Sequence, residues 1–399
     1  MLRAYKFRFY PDAKQSSVLV KTLNSCCFLY NSALQERKYA YEARESLRCN
    51  DQINELPQLK KTLPEYREIY SQVLQDVLQR LDKAFNNFFG RVERIRKGEC
   101  LKAGYPRFKP SWRYNSFTYP QSGFHILPNG HIELAKIGRL RVFIHRAISG
   151  RAKTLTVKRD SVGDWFVIIS TELHLPKPKE EIIKKKSTLA IDVGIKNLVT
   201  LSTGEYVEPP QFFKRSEERL KRMQRELSAK KIGSNNRAKA RVRLAWAHRK
   251  IERQRNDFLH KLSKALVDKT DLLVFENLQI PNMVKNHSLA KSIHDASWSK
   301  LIQLCSYKAS SAGKSVELVD PRGTTQTCSG CGSVVRKSLS ERVHRCPTCG
   351  LLLDRDLNAA LNILSKIGRG TPELTPVGIR PLLIKRRASR VREAGSPCL

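Results

Sequence analysis

The sequence predicts a multidomain α+β chain: a small N-terminal β-barrel with a helical lobe inserted into it, then an α/β domain carrying a metal-binding insert. Three patterns predict this. The hydrophobic period changes from helical to alternating near residue 104. Later apolar strands end in an acid, at Asp192 and again at Glu276. Two Cys-x-x-Cys pairs then interrupt the last α/β stretch.

Residues 2–10 alternate, with Tyr5, Phe7 and Phe9 on one side, as in a half-buried strand. Pro11-Asp12 ends it, and Asp12 suits a helix N-cap. A helix with Leu19, Leu23, Cys26 and Leu34 follows. A second carries the stripe Val73, Leu74, Val77, Leu78, Leu81, Phe85 and closes at Gly98 and Gly104. Short strands are then expected at Ser116–Tyr119, Gly123–Leu127, His131–Leu134, Leu140–Ile144, Thr154–Lys158 and Trp165–Glu172. Turns such as Pro128-Asn129-Gly130 separate them. With the N-terminal strand they could close a barrel. A lysine-rich linker spans 174–187.

The third region opens on Thr188-Leu189-Ala190-Ile191-Asp192, an apolar strand ending in an acid; Asn197–Leu201 and a turn at Thr203-Gly204 then predict a hairpin. Residues 212–267 read as two basic helices broken at Gly233–Asn236. Strand Leu272–Glu276, a helix at 297–313, strand Ser315–Val319 and a helix Leu357–Ile367 complete the region. The tail beyond Gly368 reads as disordered.

Seventy-four Lys and Arg against 37 Asp and Glu give a net charge of +37 over 399 residues. A densely anionic partner is implied, and nucleic acid suits it better than a membrane. Between Lys214 and Arg255 stand sixteen Lys and Arg but four Glu, which would repel unless phosphates neutralise them. Tyr5, Phe7, Phe9, Tyr105, Phe108, Trp112 and Tyr114 lie among cations and suit base stacking or core packing alike. No apolar run approaches the roughly 18–20 residues of a membrane helix, and the N-terminus lacks a signal pattern. A cytoplasmic protein is expected, associated with the nucleoid if prokaryotic.

Cys328-x-x-Cys331 and Cys346-x-x-Cys349, fourteen residues apart, have the spacing of two knuckles closing on one Zn²⁺. Four thiolates leave no open coordination position, so that zinc is structural. Arg336, Lys337, Arg342, His344 and Arg345 lie between the knuckles and could touch nucleic acid. The remaining six cysteines are mostly read as small buried hydrophobes. Asp192, Glu276 and Asp356 each sit at a strand end or helix start. Converging carboxylates are what Mg²⁺ needs for phosphodiester hydrolysis. Singly, each could equally be a surface acid or a cap. Asp356 could be the N-cap of the helix that follows it, and Asp354 is its competitor or auxiliary.

The ordered set Ile191-Asp192-Val193-Gly194, Phe275-Glu276-Asn277-Leu278, Asp295-Ala296-Ser297-Trp298, the two knuckles and Asp354-Arg355-Asp356-x-Asn358-Ala359-Ala360-x-Asn362 resembles TnpB. With Tyr10-Pro11-Asp12, Phe28–Asn31 and Tyr105–Phe108, the resemblance covers roughly 1–368. TnpB proteins are insertion-sequence-encoded, RNA-guided DNA endonucleases related to type V CRISPR effectors.

That resemblance implies a RuvC-type, RNase H-like nuclease domain at 188–368, containing the basic hairpin 212–267 and a zinc insert at 321–352. Residues 1–10 plus 104–173 would be the wedge-like barrel, 11–103 the helical recognition lobe and 369–399 a basic tail. Asp192, Glu276 and Asp356 would be catalytic and hold Mg²⁺ or Mn²⁺. The partners would be a guide RNA, double-stranded target DNA and its displaced strand, with a monomer favoured. Cleavage beside a short flanking motif would leave 5′-phosphate and 3′-hydroxyl ends. Two rival readings remain: an inactive RNA-guided or plain DNA-binding regulator, and a conventional transposase acting without RNA.

Overall fold

The computed structural model describes residues 2–173, 187–338, 341–368 and 380–382. The chain divides into two compact units between Leu175 and Pro176. Most of the expected linker, 174–186, lies outside the described residues.

In the first unit, β1 (Leu2–Phe9) buries Tyr5, Phe7 and Phe9, as its alternation requires. Asp12 caps α1 (Ala13–Glu42): its carboxylate accepts from the Gln15 amide at 2.7 Å, and the Gln15 side chain accepts from the Asp12 amide at 3.2 Å. Helices α2 (Cys49–Asn54), α3 (Leu56–Thr62) and α4 (Ser71–Arg96) follow, and α4 buries Val73, Leu74, Val77, Leu78 and Leu81. The short helices α2 and α3 were not expected.

Strands β2 (Ser116–Tyr119), β3 (Phe124–Ile126), β4 (His131–Leu134), β5 (Gly138–Phe143), β6 (Arg151–Arg159) and β7 (Trp165–Glu172) complete the unit. All seven strands join in one antiparallel sheet, ordered β2-β6-β7-β1-β5-β4-β3. The first strand is thus held between β7 and β5, and the helices interrupt the sheet's sequence between β1 and β2.

Burial settles the aromatic question. Tyr5, Phe7, Phe9 and Tyr114 are core, while Tyr105, Phe108 and Trp112 keep exposed rings.

The second unit is built on β8 (Thr188–Val193), β9 (Val199–Leu201), β10 (Glu205–Val207), β11 (Leu272–Glu276) and β12 (Ser315–Val319). Their order is β12-β11-β8-β9-β10. Strands β8, β11 and β12 are parallel; β9 is antiparallel to both of its neighbours. Between them lie α5 (Phe212–Ser228), α6 (Asn235–Lys269), α7 (Ile280–Met283), α8 (His287–Ala296) and α9 (Trp298–Ser311).

Strands β8 and β11 read as unbroken apolar runs because both faces are covered. Leu189, Ile191, Leu273 and Phe275 pack with Leu259, Leu262, Leu266 of α6 and Leu301 of α9. Ala190, Leu272 and Val274 pack instead with Ile363 and Leu364 of α10 (Arg355–Ser365).

A two-stranded ribbon, β13 (Val343–Arg345) with β14 (Leu352–Asp354), leads into α10. The expected disorder of the tail does not hold at 380–382. There β15 (Arg380–Pro381) adds in parallel to β10, and the Leu382 amide donates to the Tyr206 carbonyl at 2.8 Å. The rest of 369–399 lies outside the described residues. Among the described residues no helix is long and apolar enough to cross a membrane.

Candidate active site and cysteine cluster

Parallel register brings the first two acids together. Ile191 pairs with Phe275, so the next residue on each strand, Asp192 and Glu276, lies at the same edge of the sheet. Side chains alternate along a strand, which puts both acids on the face of Ala190 and Val274, the face covered by α10. Asp356 enters in the first turn of that helix. Asp192, Glu276 and Asp356 are 8%, 6% and 7% exposed.

Asp354, not Asp356, caps α10. Its carboxylate accepts from the amides of Asp356 at 2.9 Å and Leu357 at 3.3 Å. The adjacent acids therefore divide their work, and the reading of Asp356 as a helix cap is overturned.

The three carboxyls are short of compensating charge. Burial, then Glu276 and Asp356, push Asp192 well above the usual carboxylate range, with Arg355 opposing. Burial raises Glu276, against a hydrogen bond from Thr324 and the charge of Lys366. Burial and Asp354 raise Asp356, against Arg355, whose Nε lies 3.5 Å from Asp356 Oδ1. Stacked negative charge of this kind favours either protonation or a bound cation.

Several supporting residues were given no role by the sequence reading. Thr324 Oγ1 donates to Glu276 Oε1 at 2.5 Å. Asn362 Nδ2 donates to the carbonyls of Thr324 at 2.8 Å and Thr327 at 2.6 Å. One turn earlier, Asn358 Nδ2 donates to the Thr327 carbonyl at 2.8 Å, and its Oδ1 accepts from the Ser329 amide at 3.0 Å. Both asparagines are buried on α10, and polar residues at i, i+4 on an otherwise apolar helix face were the readable clue.

The cysteines meet. The sulfurs of Cys328, Cys331, Cys346 and Cys349 all lie within 4.8 Å of one another, the one such group of potential metal-ligating side chains among the described residues. Cys328 and Cys349 are 3.6 Å apart, Cys331 and Cys346 3.5 Å. Four thiolates on one tetrahedral zinc, with bonds of about 2.3 Å, would stand roughly 3.8 Å apart, so the group fits that ion. The Ser333 hydroxyl and amide pull the Cys331 thiol down to about 6, toward the thiolate form that binds metal. Of the inter-knuckle residues, His344 is fully buried against Lys337, so it does not belong to a nucleic-acid-touching surface. Cys26, Cys27 and Cys305 are buried, whereas Cys100 is exposed.

The basic hairpin is moored at its base by Asp295. Gln211 precedes α5 in a left-handed conformation and supplies no side-chain cap. Asp295 replaces it, accepting from the amides of Phe213 at 3.1 Å and Lys214 at 3.4 Å, and from Arg255 of α6 at 2.8 Å. Three residues on, the Trp298 indole donates to the Gly194 carbonyl at 3.3 Å, two residues past Asp192.

Three family models match: "Probable transposase" over residues 168–287, "Cas12f1-like, TNB domain" over 298–363, and "Helix-turn-helix domain" over 1–46. A "Putative RNA-guided DNA endonuclease" of Streptomyces pristinaespiralis is 36% identical over 373 residues, 91% of this chain and 89% of the relative. The "Putative RNA-guided DNA endonuclease InsQ" of Escherichia coli is 30% identical over 383 residues, covering 91% and 92%. A "TnpB-like protein" of Acanthamoeba polyphaga mimivirus is 25% identical over 54% of this chain and 43% of its own. By its identity to the first two relatives over nine-tenths of its length, the chain belongs to the TnpB family of RNA-guided DNA endonucleases.

Proposed function

We propose that this protein is a transposon-encoded, RNA-guided, metal-dependent DNA endonuclease of RuvC type. The carrying observation is the convergence of buried Asp192, Glu276 and Asp356 on one sheet edge in a chain of this family. An RNase H-like domain is supported by the strand order β12-β11-β8-β9-β10, in which three parallel strands adjoin an antiparallel pair. The seven-stranded sheet of the first unit supports the barrel reading, with residues 11–103 as the recognition lobe.

Asp192, Glu276 and Asp356 would hold Mg²⁺ or Mn²⁺, whose Lewis acidity would activate water and stabilise the leaving oxygen. Hard oxygen ligands suit these ions, and the neighbouring acids that help raise Asp192 and Asp356 mark negative charge that a cation would relieve. Thr324 orients the Glu276 carboxylate through its hydroxyl, and Asp354 fixes the start of the helix that presents Asp356. Cys328, Cys331, Cys346 and Cys349 would hold a structural Zn²⁺. The cationic helices α5 and α6 would grip phosphates, leaving sequence readout to pairing with the guide RNA.

Target DNA carrying a match to the co-purifying RNA, incubated with Mg²⁺, tests the reading. Cleavage by the wild type and none by Asp192→Ala is expected. Equal products from both would refute the assigned site, and no products from either would leave a guided binder. Cleavage after complete RNA removal would favour the conventional transposase.

A further inference from the structure

Helices α5 and α6 enclose a groove of about 780 Å³ whose walls combine apolar and cationic side chains: Leu220 and Met223, Arg219, Arg243, Lys250 and Arg253. Trp246 lies on the same wall and is 49% exposed. The Arg249 guanidinium sits 3.7 Å from the centre of its ring, and Arg249 itself is only 8% exposed. A buried arginine stacked on a tryptophan fixes the indole's orientation while half of its surface stays open to solvent. A pre-set open ring among cations is the recognition pattern for a nucleobase whose phosphates reach the surrounding charges. The volume is that of a small-ligand site, enough for one or two nucleotides.

We infer that the groove between α5 and α6 is a stacking site for an unpaired nucleotide of the bound RNA, with Trp246 as its platform and Arg219, Arg243 and Lys250 as phosphate contacts. The inference rests on the RNA-guided reading above. RNA is favoured over DNA by position. The α6 residues packed into the sheet-side core begin at Phe258, about 18 Å along the helix from Trp246 at ~1.5 Å per residue. A strand about to be cut must reach Asp192, whereas an RNA retained throughout the cycle has no such need.

The test titrates the full chain, freed of RNA, with fluorescent 12-nucleotide oligouridine and with oligothymidine of equal length. Trp246→Ala should weaken oligouridine binding about tenfold, the loss of one stacked base. Trp246→Phe should stay within about threefold, and neither should change the slope of affinity against salt, since no charge is removed. The pair Arg243→Gln and Lys250→Gln should reduce that slope. Equal melting temperatures verify that the variants fold. Unchanged oligouridine affinity in Trp246→Ala, or a greater loss for oligothymidine, overturns the proposal. Guided cleavage by wild type alongside either result leaves the nuclease reading intact, so the two can fail separately.

Discussion

Asn362 donates to the carbonyl of Thr324 at 2.8 Å, and the hydroxyl of that threonine donates to Glu276. The link joins the helix carrying Asp356 to the strand-end acid through the loop that leads into the first knuckle. Cysteine cluster, helix and acids are therefore joined through hydrogen bonds into one unit.

Replacing Asn362 should loosen all three together. Asn362→Leu leaves the Thr324 carbonyl without its donor inside the protein and the Thr327 carbonyl with Asn358 alone, a cost of about 1–3 kcal/mol. Urea unfolding should register that loss, and cleavage should fall with it. Cys346→Ser should lower zinc content and speed amide exchange in α10. Full exchange protection of α10 in the zinc-poor variant would contradict the coupling.

The two neighbouring acids of α10 should separate by variant. Asp354→Asn keeps a capping oxygen and should retain cleavage, whereas Asp354→Ala should cost about 0.5–2 kcal/mol of stability. Asp356→Asn should preserve folding and eliminate product. Thermal melts beside a cleavage assay distinguish these; loss of product in Asp354→Asn with retention in Asp356→Asn would reverse the assignment.

The pH dependence has a definite sign. Asp192, Glu276 and Asp356 bind protons more tightly folded than unfolded. Stability of the metal-free protein should therefore fall as pH rises from the ordinary carboxylate range through the raised folded values. Asp192→Asn should remove part of this fall, raising the melting temperature at pH 8 by about 2–4 °C for each kcal/mol relieved, and should abolish cleavage. Mg²⁺ should stabilise the wild type more than the variant, because binding to the folded state alone is stabilising.

Asp295 should matter to the hairpin rather than to the acids. Asp295→Ala strips partners from the Phe213 and Lys214 amides and from Arg255, an expected cost of about 1–3 kcal/mol. Hydrogen exchange should quicken at the start of α5. Asp295→Asn keeps an acceptor for the amides and should be milder. Equal exchange rates in wild type and Asp295→Ala would rule the mooring out.

Much of this was readable from the chain. Strands β7, β11 and β12 were bounded to the residue because turns or acids punctuate apolar runs. The cysteine pairs were legible because ligand spacing leaves few alternatives. What escaped were the short helices α2 and α3, with too few residues to display a period, and α7 and α8, which begin after a loop with no strong apolar stripe. Thr324, Asn358 and Asn362 also escaped. Their roles depend on partners 29 or more residues away, since Asn358 bonds Thr327 and Ser329 and Thr324 bonds Glu276. Local pattern marks the two asparagines at i, i+4 but not the partners they bond. Asp354 and Asp356 could not be separated by spacing, because either suits a helix start. Only the hydrogen bonds to the Asp356 and Leu357 amides decide it.

The position of α10 also sets a schedule. Asp356 is made 80 residues after Glu276, a delay of about 4–16 s at 5–20 residues per second. The cationic hairpin is translated in full before Glu276, and so before the carboxylate set is complete. On the proposed reading, a nascent chain would carry its phosphate-binding surface before its complete carboxylate set.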